Sequence, residues 1–116
     1  MMLQRLRSSI CHAKDLQKAR EWYTAFTGVK PYFDEPFYVG FDINGFELGI
    51  DPDMKGVEKG NHSVAYWLVD DIHAVVKKAV DLKAKIVSPV TNVGGSTEVA
   101  VVEDPFGNHI GLISGA

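Results

Sequence analysis

Residues 103–113 read Glu-Asp-Pro-Phe-Gly-Asn-His-Ile-Gly-Leu-Ile. Asp104 and Pro105 suit the first two positions of a type I turn, and Gly107 can take the left-handed conformation that closes it. Because apolar runs lie on both sides of the turn, the stretch predicts a β-hairpin whose second strand is paired along its length. Side chains of that second strand alternate between two faces: His109, Gly111 and Ile113 on one, Ile110 and Leu112 on the other.

The elements before this hairpin occur in the same order in both halves of the chain. In the first half we predict strands at 6–13, 29–33, 38–43 and 46–50, and a helix between Asp15 and Gly28. In the second half we predict strands at 63–69, 86–90, 97–103 and 108–113, and a helix from Asp71 to Leu82. A linker at 51–60 and a Gly-Gly loop at 91–96 complete the assignment.

The two halves therefore look like copies of one unit made of a strand, a helix and three more strands. Asp15-Leu16 matches Asp71-Ile72 at an offset of 56 residues, and Ser8 matches Val64 at the same offset. Each unit alone would leave one face of its sheet bare.

The composition predicts one soluble domain. The chain has 116 residues, 46% of them apolar, and a formal net charge of −3, which gives no reason to expect a nucleic-acid or membrane partner. One cysteine, Cys11, excludes an internal disulfide and a cysteine zinc site, so we expect a cytoplasmic protein. Residues 1–7 are too short and too charged for a signal peptide, and no apolar run approaches the ~18 residues of a membrane span.

Three stretches carry a resemblance to a known family. They are Asp-Leu-Gln-Lys-Ala-Arg-Glu-Trp-Tyr at 15–23, Val-Asp-Asp-Ile at 69–72 and Glu-Asp-Pro-Phe-Gly-Asn at 103–108. Together, in this order on a repeat, they resemble the vicinal oxygen chelate superfamily, which includes glyoxalase I, bleomycin-resistance proteins and extradiol dioxygenases. The resemblance covers nearly the whole chain, from Arg7 to Ile113.

The resemblance implies an α+β fold of two tandem βαβββ modules, at about 6–51 and 62–114 within a single domain 1–116. Their curled mixed sheets would enclose a shared cleft, with the helices outside. Side chains in phase with the cleft are then expected to be these: Ser8, Ile10, His12, Glu47, Gly49, Val64, Tyr66, Leu68, His109 and Gly111.

The resemblance also implies where a metal would be bound. Metal-dependent members take one ligand from the first strand and one from the fourth strand of each module, and those positions here are Ser8, Glu47, Val64 and Gly111. Only Glu47 is a usual ligand, because valine and glycine side chains cannot coordinate and a serine hydroxyl is a weak ligand. We therefore expect that the metal site is lost and that no cofactor is bound.

A metal site shifted along the strands is the alternative, since His12, His62 and His109 are in phase with the lost positions. His12 lies four residues from Ser8, about 13 Å along a strand, whereas His62 lies two from Val64, about 7 Å. Metal-to-nitrogen bonds measure only about 2 Å, so unequal displacements argue against convergence.

The function that these residues favour is binding of a small, partly apolar molecule, as in the drug-sequestering resistance proteins of the superfamily. The expected ligand-binding residues are Ser8, Ile10, His12, Tyr38, Asp42, Glu47, Val64, Tyr66, Leu68, His109 and Gly111. Acidic residues in a cleft suit a cationic ligand. Such resistance proteins use a dimer groove, and a homodimer stays open as an alternative.

Three other functions remain open at the level of sequence. In a metal-independent enzyme, Glu47 would be the catalytic base, with a raised pKa, and His12 or Tyr66 would stabilise an oxyanion. Alternatively, Glu47 is an exposed carboxylate at a hairpin without a catalytic role. A metal-dependent lyase or dioxygenase is disfavoured by the ligand count. A partner-binding accessory domain is the last alternative.

Overall fold

The computed structural model describes residues 2–59 and 64–115. Their contacts divide the chain into two compact units, with the boundary between Val57 and Glu58. Each unit contains one helix and one four-stranded sheet. His62, which belongs to the alternative of a shifted metal site, lies outside the described residues.

The first unit contains a sheet of order β1-β4-β3-β2 and one helix, α1. The elements are β1 (Ser8–His12), α1 (Leu16–Thr27), β2 (Phe33–Glu35), β3 (Tyr38–Ile43) and β4 (Phe46–Asp51). β1 pairs parallel to β4, while the β2–β3 and β3–β4 pairs are antiparallel, so the sheet is mixed.

The second unit repeats this arrangement with a sheet of order β5-β8-β7-β6. The elements are β5 (Tyr66–Leu68), α2 (Ile72–Asp81), β6 (Lys85–Gly94), β7 (Thr97–Glu103) and β8 (His109–Ser114). β5 pairs parallel to β8, and the other pairs are antiparallel. The α+β class and the two βαβββ modules predicted from the sequence are confirmed.

Both helices begin where the sequence predicts. The carboxylate of Asp15 accepts a hydrogen bond from the backbone N–H of Lys18 at 3.1 Å, and Asp71 accepts one from Ala74 at 3.1 Å. Such N-caps satisfy amide groups that have no partner inside the helix. Gly28 ends α1 in the left-handed conformation, at a φ of 77°. Among the described residues, neither helix is long and apolar enough to cross a membrane.

Each helix packs against one face of its own sheet. In the first unit, Ala19 and Tyr23 of α1 are buried with Val39, Phe41 and Ile50 of the sheet. The second unit buries the corresponding stripe of α2 and the helix side of β7 and β8: Ile72, Val76, Ala79, Ala100, Val102 and Leu112. Alternation along each strand leaves the other sheet face for the side chains described in the next subsection.

The hairpin at 103–113 forms as predicted. The Asp104 side chain is buried and its Oδ1 accepts hydrogen bonds from the backbone N–H groups of Phe106 and Asn108, at 2.9 and 2.8 Å. Its Oδ2 accepts from Nδ2 of Asn108 at 2.9 Å. Gly107 has a φ of 89°, which a residue with a side chain rarely adopts.

Four strand predictions were wrong in their bounds by more than one residue. β1 comprises only Ser8–His12 of the predicted 6–13. The second strand comprises Phe33–Glu35 in place of 29–33, because Phe33 is the first residue opposite β3. β5 comprises only Tyr66–Leu68 of the predicted 63–69, and Ser63 is outside the described residues. β6 continues to Gly94, through most of the predicted loop at 91–96, because bulges keep it paired with β7 up to Thr97.

Candidate functional site

Glu47 lies on the face of the first sheet that is opposite α1. It is directly across from Ser8 on β1 and from Asp42 on β3. The neighbouring residues of β4, Leu48 and Ile50, are buried on the helix side, as the alternation predicts. We call the sheet face opposite α1, which carries Ser8, Tyr38 and Glu47, the Glu47 face.

The Glu47 carboxylate accepts hydrogen bonds from four side chains of its own unit. Its Oε1 accepts from the hydroxyl of Ser8 at 2.8 Å, from that of Tyr38 at 2.9 Å and from Nη1 of Arg7 at 3.1 Å. Its Oε2 accepts from the hydroxyl of Tyr32. The side chain retains 10% of its accessible surface, so both oxygens are held by protein donors with little access for water.

These donors lower the pKa of Glu47 below its ordinary value. The hydrogen bond from Tyr32 is the largest cause, and the hydroxyl groups of Ser8 and Tyr38 and the charge of Arg7 act in the same direction, against the effect of partial burial. Glu47 is therefore an ionised hydrogen-bond acceptor at neutral pH. A catalytic base with a raised pKa was the alternative predicted from the sequence, and the pKa of Glu47 is shifted in the opposite direction.

Tyr32 and Tyr38 stay protonated because their pKa values are raised. Burial and the neighbouring Glu47 carboxylate raise the pKa of Tyr38, and the hydrogen bond to Glu47 raises that of Tyr32. Both phenols therefore donate hydrogen bonds to Glu47 over the whole physiological range.

Glycines on the Glu47 face make room for the tyrosines. A Cβ atom at Gly49 would lie 1.7 Å from the hydroxyl oxygen of Tyr38, and one at Gly40 would lie 3.1 Å from the ring of Tyr32 and 3.0 Å from Oε2 of Glu47. Only residues without a side chain fit under these groups.

Arg7 and Tyr32 were not predicted as site residues, although they complete the set of donors to the Glu47 carboxylate. Arg7 precedes β1, and Tyr32 precedes β2, where the Tyr32 N–H donates to the carbonyl of Gly40 at 3.0 Å. The signal in the sequence was the pair of glycines, Gly40 and Gly49, in phase with Glu47 on adjacent strands. Glycines at these two positions indicate that a large side chain lies across this face of the sheet.

The second unit places Tyr66, and not Val64, at the position that corresponds to Ser8. The backbone N–H of Gly111 donates to Ala65 just as that of Glu47 donates to Arg7, at 2.9 Å in both cases, and Tyr66 is directly opposite Gly111. The offset of 56 therefore holds for the helix caps but not for the strands, because the segment between strand and helix is two residues shorter in the second unit. A Cβ atom at Gly111 would lie 2.8 Å from the Tyr66 ring.

The residues at the family's ligand positions do not fit a divalent metal ion. Gly111 and Val64 have no side-chain donor atoms, and the phenol of Tyr66 is not among the usual ligands. Glu47 has both oxygens committed to hydrogen bonds. Within residues 2–59 and 64–115, no three His, Cys, Asp or Glu side chains are grouped so that they could hold an ion.

The remaining expected site residues are distributed over both units. Ile10, Tyr66 and Leu68 are exposed on their strands, at 55, 49 and 69%. His12 contacts the carbonyl of Asp53 through Nδ1 at 3.0 Å, and His109 contacts Glu103 through Nε2 at 3.2 Å. Thus the structure brings Ser8, Tyr38 and Glu47 together, while these histidines take part in local contacts of separate units.

A cavity of about 260 Å³ opens beside Glu47 at the end of the β3–β4 hairpin. We call it the arginine pocket. Seven residues of the first unit line it: Arg5, Arg7, Tyr32, Asp42, Gly45, Phe46 and Glu47. The Asp42 carboxylate accepts a hydrogen bond from the backbone N–H of Gly45 at 2.7 Å, which closes the predicted Asn-Gly turn.

Solved structures share this fold at low sequence identity. A glyoxalase/bleomycin resistance protein/dioxygenase family enzyme from Burkholderia phytofirmans PsJN superposes with a TM-score of 0.80 at 15% identity, over 96% of this chain and 98% of that one. A genomically encoded fosfomycin resistance protein from Listeria monocytogenes gives 0.79 at 15%, over 99% and 96%. A glyoxalase-related enzyme from Fulvimarina pelagi gives 0.78 at 18%, over 97% and 88%.

The sequence itself identifies the family. No curated protein matches the chain. The model of the Glyoxalase/Bleomycin resistance protein/Dioxygenase superfamily, however, matches residues 11–112, which is most of the chain. The two βαβββ units and the solved structures agree with that match. The chain therefore belongs to the Glyoxalase/Bleomycin resistance protein/Dioxygenase superfamily.

Proposed function

We propose that this protein binds a small, partly apolar molecule on the Glu47 face and that it has lost the metal site of its superfamily. The observation that carries the proposal is the Glu47 carboxylate. It is the only usual ligand type among the carried-over positions, and four donors from Arg7, Ser8, Tyr32 and Tyr38 already occupy it. A metal ion would have to displace those donors and would find few other ligands.

Apolar side chains beside Glu47 support a partly apolar ligand. Ile10, opposite Gly49, and Phe33, opposite Gly40, lie in phase with Glu47. Their side chains are 55 and 37% exposed. Phe33 also contacts the ring of Tyr38 at a centroid distance of 6.2 Å. Exposed apolar groups around a fixed polar centre are typical of small-molecule sites.

The charge of Glu47 no longer argues for a cationic ligand. Arg7 forms an ion pair with that carboxylate at 3.1 Å, and three hydroxyl groups donate to it. Asp42 is the remaining acidic group of the expected site. The shared fold with a fosfomycin resistance protein supports a small-molecule ligand but not its identity.

We further infer a single domain, with modules at about 6–51 and 62–114, that functions in the cytoplasm. The internal repeat and the low cysteine content support this inference. A homodimer remains an alternative, and its test is the molecular mass in solution.

Metal analysis combined with a ligand screen tests the proposed function. Protein purified without chelator should contain no nickel, zinc or iron at one ion per chain, and at least one compound in a library of small aromatic molecules should raise Tm by mass action. The Glu47→Gln variant serves as the control for metal content. One tightly bound ion per chain that disappears in Glu47→Gln would overturn the proposal.

A further inference from the structure

Arg5 contributes an available positive charge to the arginine pocket. Its guanidinium carbon lies 5.8 Å from the centroid of the Phe46 ring. A guanidinium over an aromatic ring is attracted to the face of that ring, and its N–H groups can still donate to a ligand. In the part of the chain that the structure describes, no carboxylate forms an ion pair with Arg5.

The other charges of the arginine pocket are already balanced or fixed. Arg7 pairs with Glu47 at 3.1 Å, so these two groups contribute little net charge. Asp42 has one oxygen bound to the backbone N–H of Gly45. The pocket therefore combines one available cation, Arg5, with one carboxylate, Asp42, that would repel an anion bound close to it.

We propose that Arg5, supported by Phe46, binds a carboxylate or phosphate group of the ligand in the arginine pocket. This inference rests on the proposed small-molecule function and specifies the chemical class of the ligand. The planar fork of an arginine suits two-point binding of either oxyanion. Tyr32, 57% exposed in the same pocket, offers a ring surface to the apolar part of the molecule.

The size of the arginine pocket limits the ligand. A cavity of about 260 Å³ is slightly smaller than the ~300 Å³ at which the usual range of ligand sites begins. It therefore suits a single ring with an anionic substituent and not an extended cofactor.

Nuclear magnetic resonance titration of the full ¹⁵N-labelled chain tests the inference with three probes. Benzoate and phenyl phosphate carry the two candidate anions, and benzyl alcohol is the neutral counterpart of similar shape. We expect both anions, or one of them, to shift the amide signals of Arg5, Arg7 and Phe46 in a saturable way. Whichever anion binds more tightly identifies the group. Benzyl alcohol should bind at least tenfold more weakly than that anion.

Two variants of opposite charge change sharpen the test. Arg5→Gln should weaken binding of the anion about tenfold, because a charge-assisted hydrogen bond is lost. Asp42→Asn keeps the acceptor for the Gly45 N–H and removes the repelling charge, so it should tighten binding severalfold. Arg20→Gln makes the same chemical change as Arg5→Gln at an exposed ion pair with Asp34, away from the arginine pocket, and should leave affinity unchanged.

The measurements distinguish absence of the anion site from absence of small-molecule binding. Equal affinity for benzyl alcohol and for the anions, or an unchanged affinity in Arg5→Gln, overturns the anion site while small-molecule binding stands. Equal weakening by Arg5→Gln and Arg20→Gln also overturns it, because the effect would then come from net charge alone. Absence of any saturable shift with either anion overturns the anion site, and the metal analysis and ligand screen still decide the proposed function separately.

Discussion

Glu47 shows how neighbouring side chains determine the chemistry of a carboxylate. A carboxylate can coordinate a metal or remove a proton. Here the hydroxyl groups of Ser8, Tyr32 and Tyr38 donate to it, together with Arg7. These interactions favour the ionised form and lower its pKa, so Glu47 acts as a fixed acceptor that orders the surrounding side chains.

The Tyr32→Phe substitution should raise the pKa of Glu47, because the hydrogen bond from Tyr32 is the largest cause of its lowered value. Tyr38→Phe should raise it less, since the Tyr38 hydroxyl is a smaller cause. Both values can be measured by ¹³C resonance titration of the glutamate side-chain carboxyl groups. A pKa that stays the same in Tyr32→Phe would contradict the assigned hydrogen bond.

The Gly49→Ala substitution should destabilise the first unit by about 1–3 kcal/mol, as overpacking does. The new methyl group would lie 1.7 Å from the Tyr38 hydroxyl oxygen and would force that ring away from Glu47. Urea unfolding of the single and double variants provides the control. If the clash is the cause, Gly49→Ala should cost much less in a Tyr38→Ala background, and an equal cost in both backgrounds argues for another origin.

At the scale of elements, local signals in the sequence were sufficient where one residue determines a backbone feature. Asp15 and Asp71 cap the helices, and Asp104 with Gly107 forms the last turn, as predicted. The extent of β6 could not be predicted, because bulges along its pairing with β7 break the alternation of side chains. Two of the four donors to Glu47 could not be predicted either, since Arg7 and Tyr32 lie outside the strands and are placed by pairing register.

The Asp104→Ala substitution should destabilise the second unit by about 2 kcal/mol or more. The buried carboxylate accepts from the backbone N–H groups of Phe106 and Asn108, and without it these donors lose their partner, which costs roughly 1–3 kcal/mol per buried group. Asp81→Ala is the matched control, because Asp81 forms an exposed pair with Lys77 on α2, worth a few tenths of a kcal/mol. Urea unfolding measures both, and equal costs would show that the Asp104 network is not a stabilising feature.

At the scale of the whole molecule, the family determines the fold while individual residues determine the chemistry. Two βαβββ units are shared with structures at 15–18% identity, so the architecture tolerates replacement of most side chains. The sheet face opposite each helix could be predicted by alternation, because the two-residue shift between Val64 and Tyr66 is even and preserves the face. Which side chains contact one another across neighbouring strands depends on the pairing register, and the register is determined by the whole sheet.

The stability of the protein should fall in acid through Glu47. The pKa of Glu47 is lower in the folded protein than the value of 4.5 for an unperturbed glutamate, so the unfolded chain binds a proton more readily and acid favours unfolding. The contribution of Glu47 is complete above the pKa of the unfolded chain and is lost as the pH falls through the folded value. Urea midpoints of the wild-type protein measured between about pH 3 and pH 7 should therefore decrease most steeply below about pH 5.

The Glu47→Gln variant should be less stable at neutral pH, because the amide replaces one accepting oxygen with a donor, and its midpoint should depend less on pH over the same interval. An acid slope as steep in Glu47→Gln as in the wild type would assign the loss of stability to other carboxylates and would leave Glu47 without the energetic role that its four donors imply.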